Sequence, residues 1–254
     1  MSFLVLILEF FFYAVVAFFA LYVLLELRMI FISSRVEKRK LSPIGLMEET
    51  PSEPFLPPVT VLLPIFNESA VISRLIKAAC RLQYPNGRLE ILVRDDSTDL
   101  TTEKAEALVE ACAAEGVNIK FLKRGTRKDF KAGNLCYGIS HSRAEFFAIF
   151  DADFIPPEDF LLKTLPCFQD PELDFLQTGI GYENSEVSYL TKFQAMEMGH
   201  RQFVTVGLSG DGNMASLSGS SCVWRRSCFD EVGGWTSATA TEDVDIGYRA
   251  QFGD

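Results

Sequence analysis

The chain has 254 residues, of which 48% are hydrophobic and 23% are charged, and its formal net charge is −10. This composition excludes disordered and fibrous proteins and fits one globular domain with a short additional segment. The first forty residues carry +2, so the rest of the chain carries −12. Proteins bind nucleic acid largely by neutralising its phosphates with Lys and Arg. The strongly negative charge of residues 41–254 therefore argues against a nucleic-acid partner.

The N-terminal segment from Phe3 to Leu25 is apolar apart from Glu9, and its 23 residues are enough to cross a bilayer. No Lys or Arg precedes it and bulky residues close it, which favours an uncleaved anchor over a signal peptide. Residues 1–32 are therefore predicted to be a single-pass transmembrane anchor, with the lipid bilayer as a partner. A buried core helix is the weaker alternative, because no polar face occurs at helical spacing.

Basic residues cluster directly after the apolar segment, at positions 28, 35, 38, 39 and 40. By the positive-inside rule, this predicts an N-terminus outside the cell and a cytoplasmic catalytic domain. Residues 33–56 are rich in Pro, Ser and charged residues, which predicts a juxtamembrane basic and Pro-rich tether. The six cysteines lack C-x-x-C spacing, which favours free thiols in a reducing compartment.

Strand and helix patterns alternate through the first half of the remaining chain. The predicted elements are strand Val59–Leu63, helix Ser69–Leu82, strand Leu89–Val93, helix Glu103–Glu115, strand Ile119–Leu122, helix Ala132–His141 and strand Phe146–Phe150. Gly116 is expected to end the second helix. This order is typical of the α/β class, in which a mostly parallel sheet is covered by helices on both faces.

Polar and acidic residues follow three of these strands directly. They are Asn67-Glu68 after the first strand, Asp95-Asp96 after the second, and Asp151 with Asp153 after the fourth. In parallel sheets ligands bind at the carboxyl ends of the strands. We therefore expect the functional site at this edge.

Asp151 and Asp153 are separated by one residue, so in extended geometry both carboxylates project to the same side. Two like charges so close repel unless a cation lies between them. Hard oxygen ligands favour Mg²⁺ or Mn²⁺, and Mg²⁺ typically takes one or two carboxylates plus substrate phosphates. The alternative is a solvated acidic turn, but the apolar strand before it favours the metal.

The other polar clusters each have a structural alternative. Asp95-Asp96 could be a turn at a strand end, because Asp is a usual turn residue. Five cations between Lys123 and Lys131 could form a solvated loop, yet Lys131 beside Gly133 could also approach a diphosphate. Thr241 fits the N-cap of a helix whose first turn carries three acids. Both the P-loop and the dinucleotide fingerprint are absent from the sequence, which argues against those nucleotide-binding classes.

Several motifs follow one another in a fixed order. They are Pro64-Ile65-Phe66-Asn67-Glu68, Asp95-Asp96-Ser97-Thr98-Asp99, Lys131-Ala132-Gly133-Asn134, Asp151-Ala152-Asp153, Leu217-Ser218-Gly219-Ser220-Ser221, Gly233-Gly234-Trp235 and Thr241-Glu242-Asp243. The series resembles family-2 glycosyltransferases, and more narrowly the cellulose synthase and glucomannan (mannan) synthase branch of membrane-bound β-glycan polymerases. The resemblance covers about residues 57–254 and implies a GT-A fold, which is Rossmann-like.

On the donor side, the resemblance implies binding of a UDP- or GDP-sugar. Asp96 would contact the nucleotide base, with Asn67 and Glu68 lining the same pocket. Lys131 would face the diphosphate, and Asp151 with Asp153 would hold Mg²⁺ or Mn²⁺, Asp153 more directly.

On the acceptor side, the resemblance implies an inverting transfer to a growing β-glycan. Asp243, next to Glu242 in the Thr-Glu-Asp motif, would be the general base that deprotonates the acceptor hydroxyl. Gly219 and Ser220 fall where that branch has its acceptor-side motif.

The sequence departs from the family pattern near its end. Processive members carry Gln-x-x-Arg-Trp after the Thr-Glu-Asp motif, and neither tryptophan of this chain lies in such a motif. This predicts that the domain 57–254 is incomplete at its C-terminus. Two alternatives to a polysaccharide synthase therefore stay open: transfer to a lipid-phosphate acceptor, and a non-catalytic fragment that binds nucleotide sugar or a partner subunit.

Overall fold

Six strands form one sheet in the computed structural model, which describes residues 3–38, 55–210, 212, 214 and 216–253. The strands are β1 (Val59–Ile65), β2 (Leu89–Asp95), β3 (Ile119–Lys123), β4 (Phe146–Ile149), β5 (Phe175–Gln177) and β6 (Cys222–Arg225). Their order across the sheet is β3-β2-β1-β4-β6-β5. The first four of these run parallel, whereas β6 is antiparallel to both of its neighbours. The predicted α/β class with a mostly parallel sheet is confirmed.

Eight α-helices and one 3₁₀ turn accompany the sheet in the described part of the chain. They are α1 (Phe3–Lys38), α2 (Ile72–Ala79), α3 (Thr101–Ala114), α4 (Phe130–Ser140), α5 (Phe160–Thr164), the 3₁₀ turn Leu165–Gln169, α6 (Tyr189–Gly210), α7 (Arg226–Glu231) and α8 (Glu242–Phe252). The three predicted helices that follow β1, β2 and β3 are confirmed, with ends that differ from the predicted bounds by a few residues.

The central strands are apolar on both faces because each face is covered by its own core. In β1, Val61 and Leu63 belong to one buried cluster, whereas Leu62 belongs to the other. The same alternation occurs in β4, where Phe146 and Phe147 lie in different clusters. Continuous apolar strands of this kind are typical of parallel sheets with helices on both sides.

Two local predictions about helix ends have different outcomes. Gly116 follows α3 with φ +90°, a left-handed conformation that glycine adopts without strain, so it ends the helix as expected. Thr241 occupies the N-cap position of α8, but its side chain makes no capping hydrogen bond. All six cysteines are free, as predicted.

The chain divides into two compact units. One contains α1 and α6, and the other contains the sheet with the remaining helices. The stretch Val5–Arg35 of α1 is long and apolar enough to cross a membrane, with a mean hydropathy of 2.3. Most of the predicted tether, residues 39–54, lies outside the described residues.

Candidate active site

The register of the sheet brings the ends of three strands to one edge. Ile65 pairs with Asp95, and Asp95 pairs with Lys123 on the other side. Two residues after the end of β1, Asn67 takes a left-handed conformation with φ 56°. Its backbone N–H donates to Ser97 Oγ at 2.9 Å, and its Oδ1 accepts the Thr98 N–H at 2.9 Å. The two predicted clusters after β1 and β2 are therefore hydrogen-bonded to each other.

The two aspartates at the end of β2 have different surroundings. Asp95 is fully buried and accepts hydrogen bonds from Ser97 N–H at 2.9 Å and Thr102 Oγ1 at 2.6 Å. It therefore organises the turn after the strand. Asp96 forms a two-pronged ion pair with Arg124, from Nε to Oδ1 at 3.0 Å and from Nη2 to Oδ2 at 2.5 Å. The side chains of this pair are only 4% and 7% exposed.

Lys131 stands between carboxylates from two other elements. Its Nζ lies 2.6 Å from Asp151 Oδ1, after β4, and 3.9 Å from Glu242 Oε1, in the first turn of α8. Lys131 itself belongs to the first turn of α4. Asp151 and Glu242, which lie 20 and 111 positions after Lys131 in the chain, thus meet at its ammonium group.

Charge and burial shift the pKa values of this cluster. Burial by itself lowers the pKa of Lys131, but Asp151, Glu242 and Asp243 outweigh it and raise that pKa above its ordinary value. Burial raises the pKa of Asp151, Lys131 opposes the rise, and Asp153 and Asp243 add to it. The site therefore concentrates more negative charge than one lysine compensates.

Glu68 belongs to the same electrostatic cluster. Burial raises its pKa, and the charges of Asp153, Asp151 and Asp99 raise it further. The residues after β1 and those after β4 therefore face a common region.

The segment Leu217–Ser221 lies against both Asp151 and Asp243. Ser220 Oγ accepts the backbone N–H of Asp151 at 2.9 Å. Gly219 has φ +68°, and a Cβ built there would lie 2.6 Å from the Cβ of Asp243 and 2.7 Å from its Oδ2. Only glycine meets both conditions, because it tolerates the left-handed backbone and leaves room for the Asp243 side chain.

The carboxylates of this cluster carry the hard oxygen atoms that divalent cations such as Mg²⁺ prefer. Among the described residues no group of three His, Cys, Asp or Glu side chains is gathered as a metal site. The negative charges of Asp151 and Asp153 both raise the pKa of Glu68, and that of Asp153 also raises the pKa of Asp151. Two carboxylates together with a diphosphate are a usual ligand set for Mg²⁺.

Sequence reasoning missed two groups that hold the site together. Arg124 lies in the basic run, but nothing in the sequence indicates that it pairs with Asp96. Gln177, the last residue of β5, carries no motif, yet its amide makes hydrogen bonds to the loop that contains Gly219 and Ser220.

Comparison with known proteins identifies the family of the chain. Residues 57–252 match the family described as "Glycosyltransferase like family 2". The chain belongs to the family-2 glycosyltransferases. The resemblance stated from the sequence motifs is thereby confirmed.

Relatives from plants narrow the position within the family. The chain is 39% identical over 200 residues to probable glucomannan 4-beta-mannosyltransferase 11 of Oryza sativa subsp. japonica, covering 76% of this chain and 35% of that protein. It is 36% identical over 223 residues to glucomannan 4-beta-mannosyltransferase 2 of Arabidopsis thaliana, covering 85% of this chain and 41% of that protein. The chain thus spans well under half the length of these relatives.

Solved structures support the fold. The mannosyltransferase PcManGT from Pyrobaculum calidifontis, solved with GDP-Man and Mn²⁺, superposes with a TM-score of 0.62 at 19% identity, covering 87% of this chain and 63% of that one. TarS of S. aureus, residues 1–349, solved with UDP, superposes with a TM-score of 0.54 at 18% identity, covering 76% of this chain and 55% of that one. The sheet and its helices therefore have the same fold as these two proteins.

Proposed function

We propose that this family-2 glycosyltransferase transfers mannose from GDP-mannose to the end of a growing β-glycan, with inversion and with the help of a divalent cation. The observation that carries the proposal is the convergence of Lys131, Asp151, Glu242 and Asp243 at the carboxyl ends of the strands. The names of the plant relatives and the GDP-Man bound to PcManGT support the choice of donor.

On the donor side, the pocket for the nucleotide is formed by Asn67, Glu68 and Asp96. Lys131 exchanges its contact with Asp151 for the diphosphate, because a diphosphate carries more charge than one carboxylate. Asp151 and Asp153 would hold the cation, and its charge would offset the negative charge on the diphosphate.

On the acceptor side, Asp243 accepts the proton of the attacking hydroxyl. The new bond forms between the acceptor oxygen and the anomeric carbon while the bond to the diphosphate breaks, and the diphosphate leaves with the electron pair. Gly219 keeps the space in front of Asp243 open. General-base catalysis and correct orientation of the reactants are the main contributions of the protein.

The test is transfer of labelled mannose from GDP-mannose by membranes that contain the chain. We expect Asp243→Asn to lose activity by about 10²–10⁴-fold, the usual contribution of a general base. Asp153→Asn should lose activity similarly, and removal of divalent cations with EDTA should abolish transfer until Mn²⁺ or Mg²⁺ is added back. Retained activity in both variants would overturn the proposal.

Asp159→Asn is the matched control. The side chain of this aspartate is 41% exposed, pairs with Lys163 at 2.5 Å and lies outside the cluster, so transfer should be unchanged. The product identifies the acceptor: insoluble glycan supports the proposal, whereas a product extracted into organic solvent indicates a lipid-phosphate acceptor. Thermal stabilisation by GDP-mannose without any product would indicate a non-catalytic binding protein.

A further inference from the structure

Gln177 at the end of β5 holds one loop through both ends of its amide group. Its Oε1 accepts the backbone N–H of Ser218 at 3.1 Å. Its Nε2 donates to the carbonyl oxygens of Ser220 at 2.9 Å and Ser221 at 3.2 Å, and to that of Thr178 at 3.1 Å. The amide of glutamine carries one acceptor oxygen and an NH₂ group that donates. It therefore matches both the N–H and the C=O groups of the loop backbone. Gln177 thus holds the loop of residues 216–221 (the 216–221 loop).

Thr178 forms hydrogen bonds to Ser221, the last residue of the same loop. Its backbone N–H and its Oγ1 both donate to the Ser221 carbonyl, at 3.0 and 2.9 Å. Its Oγ1 also lies 2.7 Å from Ser221 Oγ. Ser221 adopts φ 53°, a left-handed conformation that costs energy for a residue with a side chain. Such a conformation persists only where surrounding contacts hold it.

The 216–221 loop touches the donor side and the acceptor side of the site at adjacent residues. Ser220 is buried and accepts the N–H of Asp151 at 2.9 Å, so it fixes the backbone of the first aspartate after β4. Gly219 lies against Asp243, where a Cβ would approach within 2.6 Å of the aspartate Cβ. A shift of the loop therefore disturbs the backbone of Asp151 and the packing against Asp243 at the same time.

We propose that Gln177 is a positioning residue, which holds the 216–221 loop so that Asp151 and Asp243 keep the separation that sugar transfer needs. The inference rests on the proposed function for its catalytic part. Gln177 does not touch the reacting atoms in this account; it acts through Ser218, Gly219 and Ser220. A misplacement of about 1 Å is enough to lower a rate by about 100-fold, so a distant amide can matter for the rate.

The first test measures hydrogen exchange in the full chain and needs no activity. In Gln177→Met, which keeps the length of the side chain but removes its hydrogen bonds, we expect exchange in the 216–221 loop and at the Asp151 amide to rise by about tenfold. Peptides from β1 and β2 should keep their wild-type rates. Unchanged exchange at the Asp151 amide, or an equal rise throughout the sheet, would overturn the proposal.

A second variant guards against simple misfolding. Gln177→Glu keeps the acceptor for the Ser218 N–H but places a carboxylate oxygen against the carbonyls of Ser220 and Ser221, so it should loosen the loop as Gln177→Met does. Gln83→Met is the matched control, because the Gln83 amide donates to Glu158 at an exposed position, 3.2 Å away. It should show wild-type exchange and wild-type transfer.

The second test separates positioning from a merely structural role. We expect Gln177→Met to lower kcat for mannose transfer by about 100-fold while the dissociation constant for GDP changes by less than about threefold. Combining it with Ser220→Ala should add little further loss, because both substitutions act through the same loop. A loosened loop with unchanged kcat would overturn the inference alone. A wild-type chain that transfers no sugar would overturn the proposed function, and the exchange experiment would still decide whether Gln177 holds the loop.

Discussion

Arg124 illustrates how single residues brace this site. Besides its two bonds to Asp96, it donates to the carbonyl oxygens of Lys128 at 3.1 Å and Phe130 at 3.2 Å. It therefore ties the segment between β3 and α4 to the end of β2. Because the ion pair is almost wholly shielded from water, removing one partner leaves a buried charge without compensation.

We expect Arg124→Ala to lower the free energy of unfolding by about 3 kcal/mol, the usual cost of breaking a buried pair. Arg124→Lys should recover only part of the lost free energy of unfolding, since an ammonium group cannot form the two parallel hydrogen bonds to Asp96. Denaturant unfolding of the detergent-solubilised chain measures both values.

The control for this prediction is Arg81→Ala. Arg81 is exposed and follows α2, where its Nε donates to the carbonyl of Lys77 at 3.2 Å, so its loss should cost less than about 0.5 kcal/mol. Equal costs for Arg81→Ala and Arg124→Ala would mean that the Asp96 ion pair does not stabilise the fold.

Among single residues, the sequence predicts the acidic residues of the site better than the side chains that hold the site in place. Asp151 and Asp153 can be found because acids directly after an apolar strand have a known place in a parallel sheet. The contact between Gln177 and Ser220 spans 43 residues and depends on the antiparallel strands β5 and β6, which are three and four residues long. Strands so short show no periodicity from which to predict them.

The packing of α6 against α1 depends on a small residue at one contact. Ser33 is buried and its Oγ donates to the carbonyl of Phe203 at 2.8 Å. Gly207 lies at the same contact, where a Cβ would come 2.0 Å from Ser33 Oγ and 3.2 Å from its Cα. The second distance involves the backbone, so rotation of the serine alone does not make room.

We expect Gly207→Ala to destabilise the pair of helices by about 1–3 kcal/mol through overpacking. Gly199→Ala on the same helix should instead stabilise it by about 1 kcal/mol, because alanine is the better helix former and a Cβ there meets nothing within 4 Å. Thermal unfolding and limited proteolysis of α6 in detergent measure the two effects. If Gly207→Ala and Gly199→Ala both changed the stability in the same direction, the packing described for Gly207 would be contradicted.

Helices of the two units differ in how well the sequence predicts them. The predicted helices after β1, β2 and β3 are recognisable because the pattern alternates with strands, as a parallel sheet requires. In contrast, α6 mixes apolar residues with Lys192, Glu197 and Arg201 over its length, and Gly207 is its one buried residue. Its contacts with α1 become visible only in three dimensions.

For the whole molecule, the unequal charge around α1 has a consequence for orientation. The first eight residues contain no Lys or Arg, whereas five basic residues lie between Arg28 and Lys40. Positive charge is retained on the cytoplasmic side of a membrane, and acidic residues contribute little to this preference. We therefore expect the N-terminus outside and the glycosyltransferase unit in the cytoplasm.

Sealed microsomes test this orientation. A glycosylation tag placed before Met1 should be modified in the lumen, while protease added outside should digest the glycosyltransferase unit. Recovery of the tag on the full chain would exclude a cleaved signal, because cleavage removes the N-terminus. The control variant adds three lysines after Met1 and replaces Arg35, Lys38, Arg39 and Lys40 by alanine. If charge sets the orientation, that variant should lose glycosylation and protect the unit from protease; identical results for both chains would contradict the prediction.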